Sequence, residues 1–419
     1  MFIIENSKNL SGTVTIGGSK NAALPLMAAA LLIPGKVRLT NVPNILDVHD
    51  FLHFYESLWA KTSFSGDILE IDSSEIHLQN MDSSRIARTR AGIYFIAGLL
   101  SRFWEASIPF PSGDKIGKRP IDEHINGYIG MGYDFQEQEN MICFTGAWSQ
   151  ANVVVTAYFA VTATANLIMW AATRSATTTI QLAAFEPHIF NLIDFLRKAG
   201  IQIDIKYDHS IIIHGTKKIT ASLEHEVISD YLQSGTFAII WALCAENYID
   251  IQRARISDLS AFLYKLHEAG VITEDLGDDT LRVYRANSLK AVHIQTNIFP
   301  GFPTDLMPLF TVLMTQCEGI SRIHEILYEG RLNWLVEYER LGGQPRIINL
   351  HEAKITGTTK LIWNTVNSWD LRSGAAMVIA GLIAEWTTKV DNIYWIKRGY
   401  DDFLGKLQSL GAKIQEINS

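Results

Sequence analysis

Six times along this chain, at intervals of about 70 residues, a helix-like run of small apolar residues leads through a short strand into an amphipathic helix and a second strand. An internal repeat of that size fixes the architecture before any motif is read. The runs begin near Lys20 (KNAALPLMAAALL), Thr89, Ala163, Ser234, Thr304 and Arg372. Each is apolar nearly all round, so each is expected to be buried on every side. The later helices stop at Gly200, Gly270, Gly342 and Gly411, because glycine takes the left-handed conformation that closes a helix at no steric cost. Strand-like alternation follows in IQIDI after Gly200 and in AKIQEI after Gly411, as in a sheet with one buried face. The repeat therefore predicts an α/β fold of two domains with three pseudo-symmetric repeats each.

Composition excludes several alternatives. At 419 residues, 47% hydrophobic and 19% charged, the chain is ordinary globular material with enough apolar residues for two cores. The longest apolar run, Ala22 to Ile33, is shorter than the roughly 20 residues a bilayer span needs. The start, MFIIENSKNL, lacks the basic region, apolar stretch and cleavage site of a leader, so a cytoplasmic, unprocessed protein is expected. Cys143, Cys244 and Cys317 stand singly in apolar or strand-like contexts, without the close spacing of a zinc site or disulfide framework, and read as small buried hydrophobes. A net charge of −8 argues against nucleic acid or an anionic membrane as partner.

Local cation clusters stand out against that acidic background. Arg85, Arg88 and Arg90 lie close together, and Lys115, Lys118 and Arg119 share a loop marked by Pro109, Pro111, Gly113 and Gly117. Such clusters are either a solvated face or an anion site. The turn Gly17-Gly18-Ser19-Lys20-Asn21 ends a strand-like stretch and opens the first buried helix, where backbone amides favour an anion. Alone it also reads as a solvated cap. Recurrence favours the anion site: comparable helix starts carry Arg90, Asp305 and Arg372, and the last repeat adds Arg398. Pseudo-threefold packing would gather these starts at one end of each domain, with a charged cleft expected between the domains.

The ordered set GSKNAALPLMAAALL from Gly18, PSGDKIGKRPIDEH from Pro111, FEPHI at Phe185, FPTDL at Phe302, YEGR ending at Arg331, DLRSGAAMVIAG at Asp370 and RGYDDFLGKLQSLGAKI at Arg398 resembles one family from end to end. It is UDP-N-acetylglucosamine 1-carboxyvinyltransferase, the enolpyruvyl transferase that opens peptidoglycan precursor synthesis. The sister enzyme 5-enolpyruvylshikimate-3-phosphate synthase shares the six-repeat fold but lacks this loop signature. The resemblance implies two inside-out α/β domains, residues 20–229 and residues 1–19 plus 230–419, with a mobile catalytic loop near 109–120 and the active site in the cleft between them. It also implies small-molecule substrates, phosphoenolpyruvate and a UDP-sugar, and no metal or organic cofactor, since the substrate supplies the activated enol. A monomer is favoured.

Carried over position by position, the resemblance gives Lys20, Arg119, Arg372 and Arg398 to phosphoenolpyruvate, whose phosphate and carboxylate call for several cations. The reaction needs a general acid and a general base. Asp305 matches the carboxylate that takes the acceptor's proton, with Asn21 near the substrate, although a helix cap within Thr304-Asp305 is an alternative reading. Asp114 stands where most of the family has cysteine. A carboxyl serves as the acid when its surroundings favour the protonated form, but it offers no thiolate to fosfomycin, so insensitivity to that drug is expected. Arg90, Asp122, His124, Thr162, Ala163, Asp305 and Leu327 match positions tied to the acceptor or its closure. Asp122 and His124 read equally well as a local loop network, Arg331 as interdomain pairing, and Glu186 as structural.

Some positions depart from the family pattern. The segment Val161-Thr162-Ala163-Thr164-Ala165 replaces one close to Ser-Val-Gly-Ala-Thr that cradles the diphosphate, and Phe159 replaces a lysine. Losing a glycine and a cation removes close backbone approach and charge. Tyr231 and Gln233 stand for arginine and glutamate beside a retained Asp230, Phe299 and Trp395 replace polar or histidine positions, and Trp59 replaces a helix-ending glycine, which a repacked helix end would explain. Enolpyruvyl transfer to the 3′-hydroxyl of UDP-N-acetylglucosamine is the leading reading. Transfer to another nucleotide-type acceptor and a catalytically silent paralogue with a binding role are the alternatives.

Overall fold

The six small-residue runs form six buried helices. The computed structural model of the chain describes residues 1–114, 116–146 and 151–417. In it the runs become Lys20–Ala29, Phe95–Phe103, Val161–Ala172, Tyr231–Cys244, Met307–Met314 and Leu371–Ile383, the second and fifth led in by tight turns at Arg90–Tyr94 and Thr304–Leu306. Burial on all sides explains their composition, since close helix packing leaves little room for side chains. A Cβ on Gly98 would lie 2.7 Å from Leu31 Cδ1, and one on Gly235 would lie 2.6 Å from Leu306 Cδ1.

The chain divides into two compact units, Met1–Gly17 with Asp114–Lys118 and Ser229–Ser419, and Gly18–Gly113 with Arg119–Ile228. The short stretch Asp114–Lys118 thus groups with the first unit, whereas the resemblance put the whole 109–120 loop in the 20–229 domain. Each unit has its own hydrophobic core. At about 1.5–3 kcal/mol per fully buried large apolar side chain, each core offsets the ordering of its own repeats.

Around each set of three helices stand sheets with one face inward, as in Ser222–Glu226, where buried and exposed residues alternate strictly. Among the described residues, five of the six sheets have four strands with one scheme: a strand pairs in parallel with the next repeat's first strand, and two antiparallel strands follow. In the sixth, Glu105–Pro109, Met141–Thr145 and Asp134–Gln138 pair antiparallel. The parallel partner is supplied cyclically. Ser222–Glu226 pairs with Lys36–Thr40, and Thr13–Thr15 pairs with Tyr248–Gln252, so the last repeat of each unit completes the sheet of its first.

The four predicted helix-closing glycines all hold positive φ, between 83° and 97°. Trp59 holds φ 68° and is largely exposed. The helix end has kept the left-handed geometry of a glycine at a cost of roughly 1 kcal/mol. Trp104 closes the Phe95–Phe103 helix in the same conformation. Cys244 and Cys317 are buried and Cys143 half-buried, all as free thiols. Among the described residues no helix is long and apolar enough to cross a membrane.

The start of the first core helix is fixed by contact as well as by turn chemistry. A Cβ on Gly18 would fall 1.8 Å from the Asn41 carbonyl oxygen, and Ser19 N–H donates to Ile228 O. Gly18→Ala is expected to lower the stability of this unit by at least about 2 kcal/mol, since the backbone must shift. Urea unfolding checks this, with Gly66→Ala as control: nothing lies within 4 Å of a Cβ there, and its φ of 62° isolates the backbone contribution.

Candidate active site

In the unit that holds Met1–Gly17 and Ser229–Ser419, two buried arginines grip one carboxylate. Asp305 lies in the Thr304–Leu306 turn that opens the Met307–Met314 helix. Arg331 Nη2 donates to its Oδ1 at 2.9 Å and Arg372 Nε to its Oδ2 at 3.1 Å. The arginine side chains are 1% and 2% exposed, whereas Asp305 keeps 29% of its surface open. Arg372 is the second residue of its helix, and Asp370 caps that helix by accepting from Arg372 N–H and Ser373 N–H, while Asp370 N–H donates to the Ser373 hydroxyl oxygen. The backbone that aims Arg372 is therefore locked by the capping box.

Burial works against the charge of Arg372, and the Tyr400 oxygen with the Asp305 and Asp230 carboxylates more than offsets it, holding the guanidinium firmly protonated. Burial likewise opposes the charge of Arg331, which Asp305, Asp370, Glu325 and Asp114 outweigh. Two donors remain buried without a hydrogen-bond partner of ordinary geometry, Arg372 Nη1 and Arg331 Nε. An unsatisfied charged donor is costly, and an anionic ligand is the simplest group to satisfy one.

The other groups of this unit support the turn. Glu325, fully buried, accepts from the Thr304 hydroxyl at 2.6 Å and from Leu327 and Tyr328 N–H, which ties the Leu327 segment to Asp305. Arg398 is buried, its guanidinium 5.1 Å from the Trp395 ring centroid and its Nη1 3.5 Å from Asp114 Oδ1. That contact is an ion pair without hydrogen-bond alignment, since Asp114 Oδ1 has no hydrogen-bond partner. Lys118 N–H donates to Glu329 and Gly330 N–H to Ile116 O, holding the segment after Asp114. Lys115 lies outside the described residues.

The structure overturns one reading here. Asp305 is no helix cap: Pro303 precedes the turn, and the carboxylate is engaged by two arginines. Arg331 donates to Thr304 O and Asp305 within its own unit. Gln233, standing for a glutamate, is buried with both amide atoms unpartnered.

In the other unit Lys20 opens the first core helix, with Asn21 half-buried behind it. Its Nζ lies 2.7 Å from Asp47 Oδ2, an oxygen that also accepts from the Thr89 hydroxyl at 3.0 Å. Arg90 donates to Pro120 O at 2.7 Å. Burial holds the Tyr94 phenol well above its ordinary value, with the charges of Arg119, Glu186 and Arg90 close by. Thr162 and Ala163 lie in the first turn of Val161–Ala172, and Asp122 is exposed at the start of Asp122–Gly130. Phe159, in the replaced lysine position, has a left-handed backbone and sets its ring against His209.

His124 is buried with neither ring nitrogen in a hydrogen bond of ordinary geometry, although the Thr162 and Ile121 backbone lies near enough to favour the charged ring slightly. Burial first, then the Arg90 charge, lowers its pKa to about 3. The unfolded chain takes this proton near pH 6.5. The contribution of the neutral ring is therefore whole above about pH 6.5 and is lost as pH falls from there toward 3. His124→Gln is expected to flatten the dependence of unfolding free energy on pH in that window by up to one proton, measured by urea unfolding across pH. An unchanged slope would contradict the buried neutral ring.

Sequence reasoning gave no role to Asp47, Thr89, Tyr94, Glu325 or Tyr400. The only advance signals were an aspartate in the first turn of an amphipathic helix and a glutamate two residues before Leu327.

Three-repeat α/β units carry cations at the starts of core helices, Arg372 buried and Lys20 and Arg90 half-buried. The family model for EPSP synthase (3-phosphoshikimate 1-carboxyvinyltransferase) matches residues 4–407. A UDP-N-acetylglucosamine 1-carboxyvinyltransferase 2 from Carboxydothermus hydrogenoformans is 36% identical over 418 residues, covering 100% of this chain and 99% of the relative. A UDP-N-acetylglucosamine 1-carboxyvinyltransferase 3 from Caldanaerobacter subterraneus is 36% identical over 416 residues, 99% of each chain. Among solved structures, the enolpyruvyl transferase NikO from Streptomyces tendae superposes with a TM-score of 0.89 at 21% identity, covering 100% of this chain and 99% of that one, a likeness of fold. The chain belongs to the enolpyruvyl transferase family, as its motifs implied, and is an enzyme of that class.

Proposed function

We propose that this enzyme transfers the enolpyruvyl group of phosphoenolpyruvate to the 3′-hydroxyl of UDP-N-acetylglucosamine, releasing phosphate at the first committed step of peptidoglycan precursor synthesis. The observation that carries the chemistry is Asp305, a half-open carboxylate held by the buried Arg331 and Arg372. The acceptor rests on whole-length similarity to relatives that bear its name.

In this reading Lys20, Arg119, Arg372 and Arg398 bind phosphate and carboxylate, with the unpartnered Arg372 Nη1 as one donor. Asp114 gives a proton to the methylene carbon of phosphoenolpyruvate. The acceptor oxygen bonds to the adjacent carbon as Asp305 takes its hydroxyl proton. The carbon–oxygen bond to phosphate then breaks, a proton leaves the new methyl group, and the double bond is restored. Arg90, Asp122, His124, Thr162, Ala163 and Leu327 are assigned to the acceptor, Asn21 to the substrates, and the protein to the cytoplasm.

Asp114 cannot be alkylated as a thiolate is, so fosfomycin is expected to leave activity and intact mass unchanged. Asp114→Cys is expected to gain a covalent adduct and become drug-sensitive. An adduct on Asp114 itself would contradict the assignment.

A second acceptor is favoured by one observation: Phe159 and its ring contact with His209 occupy the position of a diphosphate-binding lysine. Ligand-dependent unfolding tests the two. A ligand at a hundredfold excess over its Kd stabilises by about 2.7 kcal/mol. Stabilisation by UDP-N-acetylglucosamine supports the main reading, and stabilisation only by another nucleotide sugar replaces it. Stabilisation by none points to a silent paralogue.

A further inference from the structure

A single buried carboxylate joins the turn that carries Asp305 to the segment that carries Leu327. Glu325 is fully buried, and its two oxygens are divided between the two segments. Oε2 accepts from the Thr304 hydroxyl at 2.6 Å, and Oε1 accepts from Leu327 N–H at 2.8 Å and Tyr328 N–H at 3.2 Å. Its own backbone is fixed as well. Glu325 N–H donates to His351 O at 2.7 Å, His351 Nδ1 lies 2.6 Å from Glu325 O, and Ile326 N–H donates to the Thr296 hydroxyl at 3.1 Å. The carboxylate is therefore anchored, and both segments take their register from it.

A buried carboxylate that staples two loops often has a structural role only. Two features separate this one. A charge is a costly staple in a protein interior, where a neutral side chain would join the same loops more cheaply. The turn is also held from its other side, since Arg331 Nη2 donates to Thr304 O at 3.4 Å and to Asp305 Oδ1 at 2.9 Å. Burial opposes the Arg331 charge, and Glu325 stands with Asp305 and Asp370 among the carboxylates that outweigh it. Thr304 is thus gripped by its hydroxyl and its carbonyl at once, which fixes how the next residue, Asp305, presents its carboxylate. That direction matters, because a misplacement of about 1 Å at a reacting group can cost about a hundredfold in rate.

We propose that Glu325 is a positioning residue that sets the base and the acceptor segment in one register. Its Oε2 aims Asp305 through Thr304, and its Oε1 shapes the Leu327–Tyr328 backbone that meets the acceptor. The inference rests on the reading of Asp305 as the base and of Leu327 as an acceptor contact.

The test measures kcat and both KM values from initial rates of the full-length enzyme, with urea unfolding to show that each variant is folded. Thr304→Val removes the bond to Oε2 alone and is expected to lower kcat about thirtyfold, with the acceptor KM kept within about twofold. Thr304→Ser returns the hydroxyl and is expected to recover kcat. Glu325→Gln keeps the shape but turns charge-assisted bonds into neutral ones of about half the strength, so it is expected to lower kcat and raise the acceptor KM, each about fivefold, without changing the phosphoenolpyruvate KM. This variant keeps the test open if Thr304→Val fails to fold. Folded variants with parental kcat and acceptor KM would leave Glu325 a structural staple and overturn the proposal, as would a loss in Thr304→Val that Thr304→Ser does not recover. Asp305→Asn separates the two levels. If it keeps kcat within about tenfold of the parent, the reading of the base fails and the inference with it, whereas an inactive Asp305→Asn beside unchanged Thr304→Val and Glu325→Gln removes the inference alone.

Discussion

Asp305→Asn is expected to lower kcat by about 10²–10⁴-fold, the range ordinarily contributed by a positioned general base, with the chain still folded. Asparagine keeps the size of the side chain and one carbonyl oxygen to accept from Arg331 or Arg372. It cannot take a proton from a hydroxyl. The two arginines would lose one of the charges that offset their burial, so a modest loss of stability is expected beside the kinetic one. The two effects separate by measurement: kcat from initial rates at saturating substrates, and stability from urea unfolding. A kcat within tenfold of the parent would remove Asp305 from the role of base and leave it an arginine-positioning residue.

Arg331→Ala is expected to cost about 3 kcal/mol of stability, at the lower end of what breaking a buried ion pair costs. The lower end applies because Asp305 is 29% exposed and keeps Arg372 as a partner at 3.1 Å. The loss has three sources: the bond to Asp305, the weaker one to Thr304 O, and the volume of a buried side chain. Since Arg331 and Asp305 touch, the double variant with Asp305→Asn should lose less than the sum of the single losses. Additive losses, or a stability unchanged by Arg331→Ala, would show that the pair does not hold the turn. Activity is expected to fall as well, because the same guanidinium orients Asp305.

How much of this was legible in the sequence follows from the range of each interaction. The six core helices were readable because burial on all sides leaves a local mark, a run of small apolar residues, and the glycines at 200, 270, 342 and 411 marked helix ends through their backbone conformation. The cyclic exchange of strands was not, because the pairing of Ser222–Glu226 with Lys36–Thr40 joins segments far apart in sequence with no local signature. At the site, the resemblance pointed to Asp305, Arg372 and Arg398 one by one. It did not give their partners. Arg372 donates to a carboxylate from a different repeat, and Lys20 is paired with Asp47 from the helix after its own. Ion pairs of this kind depend on packing distance alone. The same holds for Glu325, whose carboxylate fixes the Thr304 hydroxyl.

The measurement that tests the central claim most directly is phosphate release from phosphoenolpyruvate with UDP-N-acetylglucosamine, with Asp305→Asn as the control and the product identified by mass. Release that depends on the acceptor, accompanied by the enolpyruvyl adduct of the UDP sugar and lost in the variant, is the predicted result. Folded protein that releases no phosphate with this acceptor, or releases it equally without one, would contradict the account.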